Sequence, residues 1–214
     1  MHLEILVEEV SAEAALYNLV PRILGSRITF AVHAFQGKSD LLAKLPSRLK
    51  EYSAWLPNDY LVVILMDRDS LACTQVKRQL ERIAAQSGLI TKTAAPIGQP
   101  FHVLNRLCIE ELEAWFFGDV QAIATAYPGV PLGLASRARF RDPDAITGGT
   151  WESLERVLQQ AGHHRNGLEK TKAAREISQH MDPQRNSSKS FRVFRDGLIR
   201  SCYGRVPARV LGST

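Results

Sequence analysis

The chain has 214 residues, of which 45% are hydrophobic, so it can bury the core of one domain, alone or with an appendage. It contains no apolar run long enough for a membrane span, and its acidic N-terminus lacks the basic region of a signal peptide. Three widely spaced cysteines form neither a disulfide framework nor a zinc motif, and we therefore expect a cytoplasmic protein with no membrane contact.

The net charge of +5 is divided unevenly along the chain. Residues 1–133 carry a balance of −2, whereas residues 134–214 carry a balance of +7. Such asymmetry indicates a polyanion-binding face on the second part, and nucleic acid is the polyanion we expect. The open alternative is a set of solvated charged helices, because the basic residues are scattered.

Strands and helices alternate in the first half. Apolar and β-branched runs predict strands at residues 2–7, 28–35, 60–66 and 101–108. Helical spacing predicts helices at residues 11–24, 39–54, 70–87 and 109–117, with Ser11 as the first N-cap. Pro21 is expected to kink the first helix or end it early, and Pro46 to interrupt the second. The alternation predicts an α/β fold with a mostly parallel four-stranded sheet flanked by helices.

Beyond Tyr127 the pattern changes to loops and helices. Residues 151–161, 168–181 and 188–201 are predicted to be helical, and no strand is expected. We therefore predict an α/β domain over residues 1–127, and over residues 128–214 a basic, mainly helical extension packed on it.

Acidic residues follow two of the predicted strands. Glu8 and Glu9 come after the first strand, and Asp67 and Asp69 come after the third. Because the carboxyl ends of parallel strands share one edge, these carboxylates are expected to meet, and Mg²⁺ is the cation that would neutralise them. Asp67 and Asp69 would be ligands and Glu8 a ligand or general base. The alternatives are that the aspartates cap the following helix and that Glu9 is a solvated loop acid.

A second acidic group lies in the predicted helix 109–117. Glu110 and Glu113 are three residues apart, so they would share a helical face and could supply a second metal position or hold the metal's waters. The alternative is the exposed side of an amphipathic helix whose core face includes Trp115. Lys170, Lys172, Lys189, Arg192 and Arg195 are candidate phosphate contacts, or simply solvated side chains.

Five segments, in order, resemble the DUF4276 family of Toprim-like proteins: residues 5–16, 64–70, 109–116, 168–172 and 188–194. The resemblance implies a Toprim-like fold, related to that of the OLD nucleases, and a Mg²⁺- or Mn²⁺-dependent nuclease. Glu8, Asp67, Asp69 and Glu113 would be its metal residues, with Glu8, Asp67 and Asp69 catalytic and Glu9, Glu110 and Glu111 accessory. It also implies an AAA-type ATPase partner in a phage-defence system.

The chain departs from the family pattern near the first strand. Where the family usually has Gly after the first Glu and an acid three residues further on, this chain has Glu9 and Ala12. The rival hypothesis is therefore a non-catalytic Toprim-like subunit that binds nucleic acid or a partner ATPase. A receiver-like phosphoacceptor domain would need a Lys after a fifth strand, which is not found. A homo-oligomer is left open.

Overall fold

A computed structural model describes residues 1–68 and 72–204. The strands are β1 (His2–Val7), β2 (Thr29–Ala34), β3 (Tyr60–Asp67) and β4 (Val103–Cys108). The helices are α1 (Val10–Leu24), α2 (Lys38–Trp55), α3 (Cys73–Gln86), α4 (Glu113–Phe117), α5 (Val120–Ala126), α6 (Thr150–Gln160), α7 (Lys170–Ser178) and α8 (Lys189–Tyr203). Short 3₁₀ turns at Leu132–Ser136, Ala138–Phe140 and Pro143–Ala145 join α5 to α6.

The four strands form one sheet in the order β2-β1-β3-β4, and every neighbouring pair is parallel. This confirms the predicted parallel sheet and the helical C-terminal segment. The chain moves from β1 outward to β2, then returns past β1 to β3, so the strand order reverses between β1 and β3. Such a switch point leaves a crevice at the carboxyl ends of the two strands, which is where open α/β sheets bind ligands.

Both faces of the sheet are covered. Leu3, Ile5 and Val7 of β1 face a core that also contains residues of α1, α7 and α8. Leu6 faces a second core formed with α2 and α3. Burial on both faces explains why β3 is a continuous apolar run from Leu61 to Met66, and why β1 departs from one only at His2 and at the buried Glu4.

The predicted early end of the first helix at Pro21 and the predicted interruption at Pro46 were wrong, whereas a kink at Pro21 stays a prediction. Pro21 lies inside α1, which continues to Leu24, and Pro46 lies inside an uninterrupted α2. A proline inside a helix costs about 3 kcal/mol. Leu16, Leu19, Val20 and Leu24 of α1 are almost fully buried, and each contributes about 1.5–3 kcal/mol, so tertiary packing outweighs the local cost. The predicted cap was also wrong, since Glu9 is the N-cap and Ser11 is buried within α1.

The predicted helix over residues 109–117 was wrong at its start. The helix α4 begins at Glu113, and Glu110 has a φ of 62°, in the left-handed region that interrupts a right-handed helix. Glu110 and Glu113 therefore do not share a helical face. The prediction of a helix from residue 70 also needs adjustment, since α3 begins at Cys73 and residues 69–71 lie outside the described part.

The C-terminal helices pack directly on the first helix of the sheet layer. Asn18 of α1 donates to the Arg175 carbonyl at 3.1 Å and to Ser178 Oγ at 2.9 Å in α7, and Arg22 donates to the Met181 carbonyl at 2.8 Å. The division at residue 127 stays a prediction. In the described ranges, no helix combines the length and the apolar composition required to cross a membrane.

Candidate functional site

The ends of β1 and β3 bring Glu8 and Asp67 side by side. Val7 is in register with Leu65, and the chain continues from these residues to the two acids. The Asp67 backbone N–H donates to Glu8 Oε1 at 2.9 Å, and Glu8 is only 8% exposed. The acid that follows one strand is therefore fixed against the acid that ends the next, at the switch point of the sheet.

Lys38 is a cationic residue at this edge that the sequence analysis missed. Its Nζ donates to the backbone carbonyl of Asp67 at 3.0 Å and reaches that of Arg68 at 3.5 Å. The preceding Gly37 donates its N–H to the Glu8 carbonyl at 2.8 Å, which ties the start of α2 to the end of β1. The order of the elements could have predicted this position. Lys38 follows β2, and the carboxyl ends of all parallel strands lie at the same edge of a sheet.

The buried thiol of Cys108 lies among three carboxylates. Cys108 is in register with Asp67 in the β3–β4 pair and is 1% exposed. Burial raises the pKa of the Cys108 thiol well above its usual value, and the charges of Asp67, Glu8 and Glu113 raise it further. The charges of all three carboxylates thus reach this thiol, although they come from the ends of β1 and β3 and from α4.

Glu113 is a buried carboxyl, 4% exposed, in the first turn of α4. Burial raises its pKa to about 7, while Lys170 opposes the shift and the charges of Glu111 and Glu9 add to it. Glu113 therefore changes protonation near neutral pH. Glu9 itself is half-buried at the N-cap position of α1 and makes no side-chain capping bond.

Glu111 and Glu110 have structural partners. One carboxylate oxygen of Glu111 accepts from Thr150 N at 3.1 Å, Thr150 Oγ1 at 2.7 Å and Trp151 N at 3.1 Å. Glu111 thus supplies an acceptor for the first N–H groups of α6, as a capping residue does. Glu110 pairs with Arg68, whose backbone N–H donates to the Cys108 carbonyl at 2.9 Å. These contacts hold the loops after β3 and β4 together.

Asp67 is not the N-cap residue of the helix that follows it. The N-cap position of α3 is Ala72, whose side chain makes no capping bond. Asp69, the other predicted metal ligand, lies outside the described residues. Among residues 1–68 and 72–204, no group of three or more His, Cys, Asp or Glu side chains is arranged to hold a metal ion.

The five candidate phosphate contacts are placed differently. Lys170 lies 5.0 Å from the centre of the Trp151 ring and lowers the pKa of Glu113, so it is near the carboxylates. Lys172 is exposed and pairs with Glu169 at 3.4 Å, while Lys189 is exposed and pairs with Asp142 at 3.3 Å.

Arg192 and Arg195 lie further along α8 and differ in their contacts. Arg192 is exposed and makes no ion pair within the described part of the chain. Arg195 bonds to Asp196 at 2.8 Å and to the Pro183 carbonyl at 2.6 Å, which makes it a structural residue.

Trp115 belongs to the core and is not available as a base-stacking surface. It is fully buried, its Nε1 donates to Ser190 Oγ at 2.9 Å, and its ring lies 5.2 Å from Phe191 and 5.0 Å from Phe194. The segment after β4 therefore anchors α8 through Trp115 and places Glu113 near Cys108.

Comparison with known proteins identifies one family. The model of DUF4276, described as a domain of unknown function, matches residues 7–199. No curated protein and no solved structure gave a significant match.

Proposed function

The chain belongs to the DUF4276 family, and we propose that it is a Toprim-like, metal-dependent phosphodiesterase acting on nucleic acid. The observation that carries the proposal is the hydrogen bond from the Asp67 N–H to the Glu8 carboxylate at the sheet's switch point. A fold does not by itself imply a function, but this pair lies where α/β sheets bind their ligands.

The donor atoms suit a hard divalent cation. Glu8, Asp67 and Glu113 offer only carboxylate oxygens, which are the ligands of Mg²⁺ and Mn²⁺. Because the described residues alone form no group arranged to hold a metal ion, the ion would require the predicted ligand Asp69 beside Glu8, Asp67 and Glu113. When bound, such an ion supplies an activated water and neutralises charge on the attacked phosphoryl group.

The chain's own side chains supply proton transfer and charge. Glu113, with a pKa of about 7, holds a proton below neutral pH and is ionised above it, so it can exchange a proton at its carboxyl oxygen in the working range. Lys38 places an ammonium group at the carbonyls of Asp67 and Arg68, beside the region where the phosphate would lie. The Lys170 side chain provides a second positive charge near Glu113.

The second candidate function is that of a non-catalytic Toprim-like subunit that binds nucleic acid or a partner ATPase. Lys38 favours this candidate, because its ammonium group is bonded to the Asp67 carbonyl and can neutralise Glu8 and Asp67 as a metal ion would. The pairing of Glu110 with Arg68 removes one further acid from any metal position. An AAA-type ATPase partner is part of both candidates, and a role in phage defence is part of the nuclease candidate.

The two candidates differ in cleavage. Purified protein is incubated with labelled DNA and RNA in Mn²⁺ or in EDTA. We expect cleavage in Mn²⁺ only, reduced at least 100-fold by Glu8→Gln or Asp67→Asn, since electrostatic stabilisation at a reacting phosphate is worth about 10²-fold or more.

Matched controls separate chemistry from folding. Asp59 flanks the opposite end of β3 and is exposed, and Glu51 is an exposed acid of α2. Asp59→Asn and Glu51→Gln should therefore cleave like the wild type. Cleavage that persists in EDTA, or that survives both site variants, would contradict the enzymatic proposal.

A further inference from the structure

A cavity of about 180 Å³ lies between α3, β4 and α8. Its walls include Cys73, Lys77, Arg106, Leu107, Lys189 and Val193. The three basic residues come from three different elements, so the cavity combines positive charge from every wall with apolar side chains of β4 and α8.

Arg106 is a half-buried cation whose hydrogen-bond partners in the described chain are neutral. Its Nε donates to the Val193 carbonyl at 3.2 Å and its Nη1 to the Asn105 carbonyl at 2.8 Å, both neutral acceptors. Within residues 1–68 and 72–204, no carboxylate pairs with it. Burial lowers the pKa of Arg106 to about 10, and repulsion from Arg200 contributes. A desolvated positive charge of this kind is stabilised by an anion.

Lys77 and Lys189 add charge at the rim. Lys77 lies one helical turn after Cys73 on the same face of α3, is exposed and makes no ion pair in the described chain. The pair between Lys189 and Asp142 is exposed on both sides and is therefore weak. Both ammonium groups can turn to an anion without breaking a buried contact.

Asn105 forms part of the cavity wall and has an unsatisfied acceptor. Its Nδ2 donates to Glu81 Oε1 at 2.8 Å, and its buried Oδ1 has no hydrogen-bond partner among residues 1–68 and 72–204. The amide cannot be reversed, because a carboxylate only accepts hydrogen bonds. A ligand with a hydrogen-bond donor could bond to Asn105 Oδ1 after a small rotation of this buried amide. An anionic group on the same ligand would neutralise the basic residues of the cavity.

We propose that this cavity binds a nucleoside phosphate. The phosphate would lie between Lys77 and Lys189, in the field of Arg106, and the base would contact Leu107 and Val193. The volume is below the range of typical cofactor pockets and smaller than a whole nucleotide, so the cavity would enclose only part of one nucleotide and leave the rest at its open side. The nucleotide can be a free mononucleotide or one unit of a nucleic-acid strand.

The cavity is close in sequence to the end of the sheet where Glu8 and Asp67 lie. Ile109, another of its lining residues, directly follows Cys108, which is in register with Asp67. A strand held here would extend toward Glu8 and Asp67. This use as a substrate pocket rests on the proposed nuclease function, whereas nucleotide binding itself does not.

Cys73 provides a direct measurement of occupancy. It is partly exposed in the cavity wall, while Cys108 and Cys202 are buried. The test is to measure, in EDTA, the rate at which iodoacetamide alkylates Cys73 as the concentration of 5′-AMP, adenosine, inorganic phosphate or 5′-phosphorylated hexathymidylate is increased. EDTA excludes metal-dependent cleavage, so a failure here is distinct from a failure of the nuclease proposal.

We expect 5′-AMP or the oligonucleotide to protect Cys73 at concentrations at least tenfold below those of adenosine and phosphate. Protection by 5′-AMP identifies a free nucleotide, and protection by the oligonucleotide alone identifies a strand. Lys77→Glu and Lys189→Glu should each raise the concentration needed by about tenfold or more, as expected for a charged hydrogen bond. Lys50→Glu makes the same charge change on an exposed lysine of α2 and should have little effect.

Two results would overturn the proposal. One is protection by neither 5′-AMP nor the oligonucleotide beyond that of adenosine. The other is equal weakening by Lys77→Glu and Lys50→Glu, which would show an effect of net charge and not of this cavity.

Discussion

Glu113 shows how strongly burial can change the chemistry of one carboxyl group. Its side chain lies in the first turn of a five-residue helix, is 4% exposed and has a pKa of about 7. Unfolding would return that pKa to near 4.5. The folded state therefore binds one more proton than the unfolded state between about pH 4.5 and 7, and stability falls as pH rises through this range.

Replacing Glu113 by Gln should remove this penalty. In EDTA at pH 8, we expect Glu113→Gln to raise the free energy of unfolding by about 3 kcal/mol, from the size of the pKa shift. At pH 4.5 the difference should nearly vanish, because Glu113 is protonated in the folded state. Urea denaturation at both pH values measures this, with exposed Glu51→Gln as control. A difference that does not change with pH would refute the assignment.

The roles of single residues were only partly accessible from the sequence. Chain order was enough to predict that Glu8 and Asp67 end neighbouring strands. It gave no indication that Glu111 accepts three bonds from Thr150 and Trp151, since that partner is about forty positions away. Lys38 was missed because its bonds to Asp67 and Arg68 depend on how β2 is placed beside β1.

At the scale of elements, packing decided where helices continue. α1 passes through Pro21 because its apolar face is buried against the sheet and α7, whereas the spacing of Glu110 and Glu113 could not reveal the positive φ that delays α4. Propensity is a local quantity, and burial of a whole face outweighs it. Strand β3 was predictable because sheet burial on both sides leaves a continuous apolar run, and β1 because only Glu4 interrupts its run from Leu3 to Val7.

Gly197 in α8 is a position where sterics should outweigh helix propensity. A Cβ built there would lie 2.2 Å from Arg106 Nη2, so α8 approaches β4 closely only because residue 197 lacks a side chain. Ala is favoured over Gly in a helix by about 1 kcal/mol. We expect the clash to exceed this gain, so that Gly197→Ala lowers the free energy of unfolding by about 1–3 kcal/mol.

Chemical denaturation provides the measurement for Gly197→Ala. Gly133→Ala is the matched control, because its nearest neighbour would be Ser136 Oγ at 3.9 Å, an ordinary contact. Stabilisation of the protein by Gly197→Ala would show that Arg106 can move aside.

At the scale of the whole molecule, one core joins the sheet to the C-terminal helices. Leu16 and Leu19 of α1 belong to the same apolar cluster as Ile177, Phe194 and Leu198. Hydrogen bonds from Asn18 and Arg22 to α7 and the loop after it add to this contact. Burial of this kind makes folding cooperative across both parts.

A chain ended at residue 127 should therefore not fold independently. It would expose the face of α1 that packs on α7 and α8, together with the buried Trp115. We expect the full chain to show one urea transition and the 1–127 fragment to show none, as measured by circular dichroism and tryptophan fluorescence. A cooperative transition in the fragment would support the predicted division at residue 127 as a true domain boundary.

The sequence by itself determined the order and type of most elements, because hydrophobic period and chain alternation are local properties. It also predicted that acids follow β1 and β3, since strand ends can be read from where an apolar run stops. Only the tertiary structure decided which polar groups meet. Lys38 bonds to the Asp67 carbonyl, Glu110 pairs with Arg68, and Glu113 is buried near the Cys108 thiol. Electrostatic interactions and desolvation depend on distance through space, and residues far apart in the chain become neighbours only when the sheet and its covering helices are assembled.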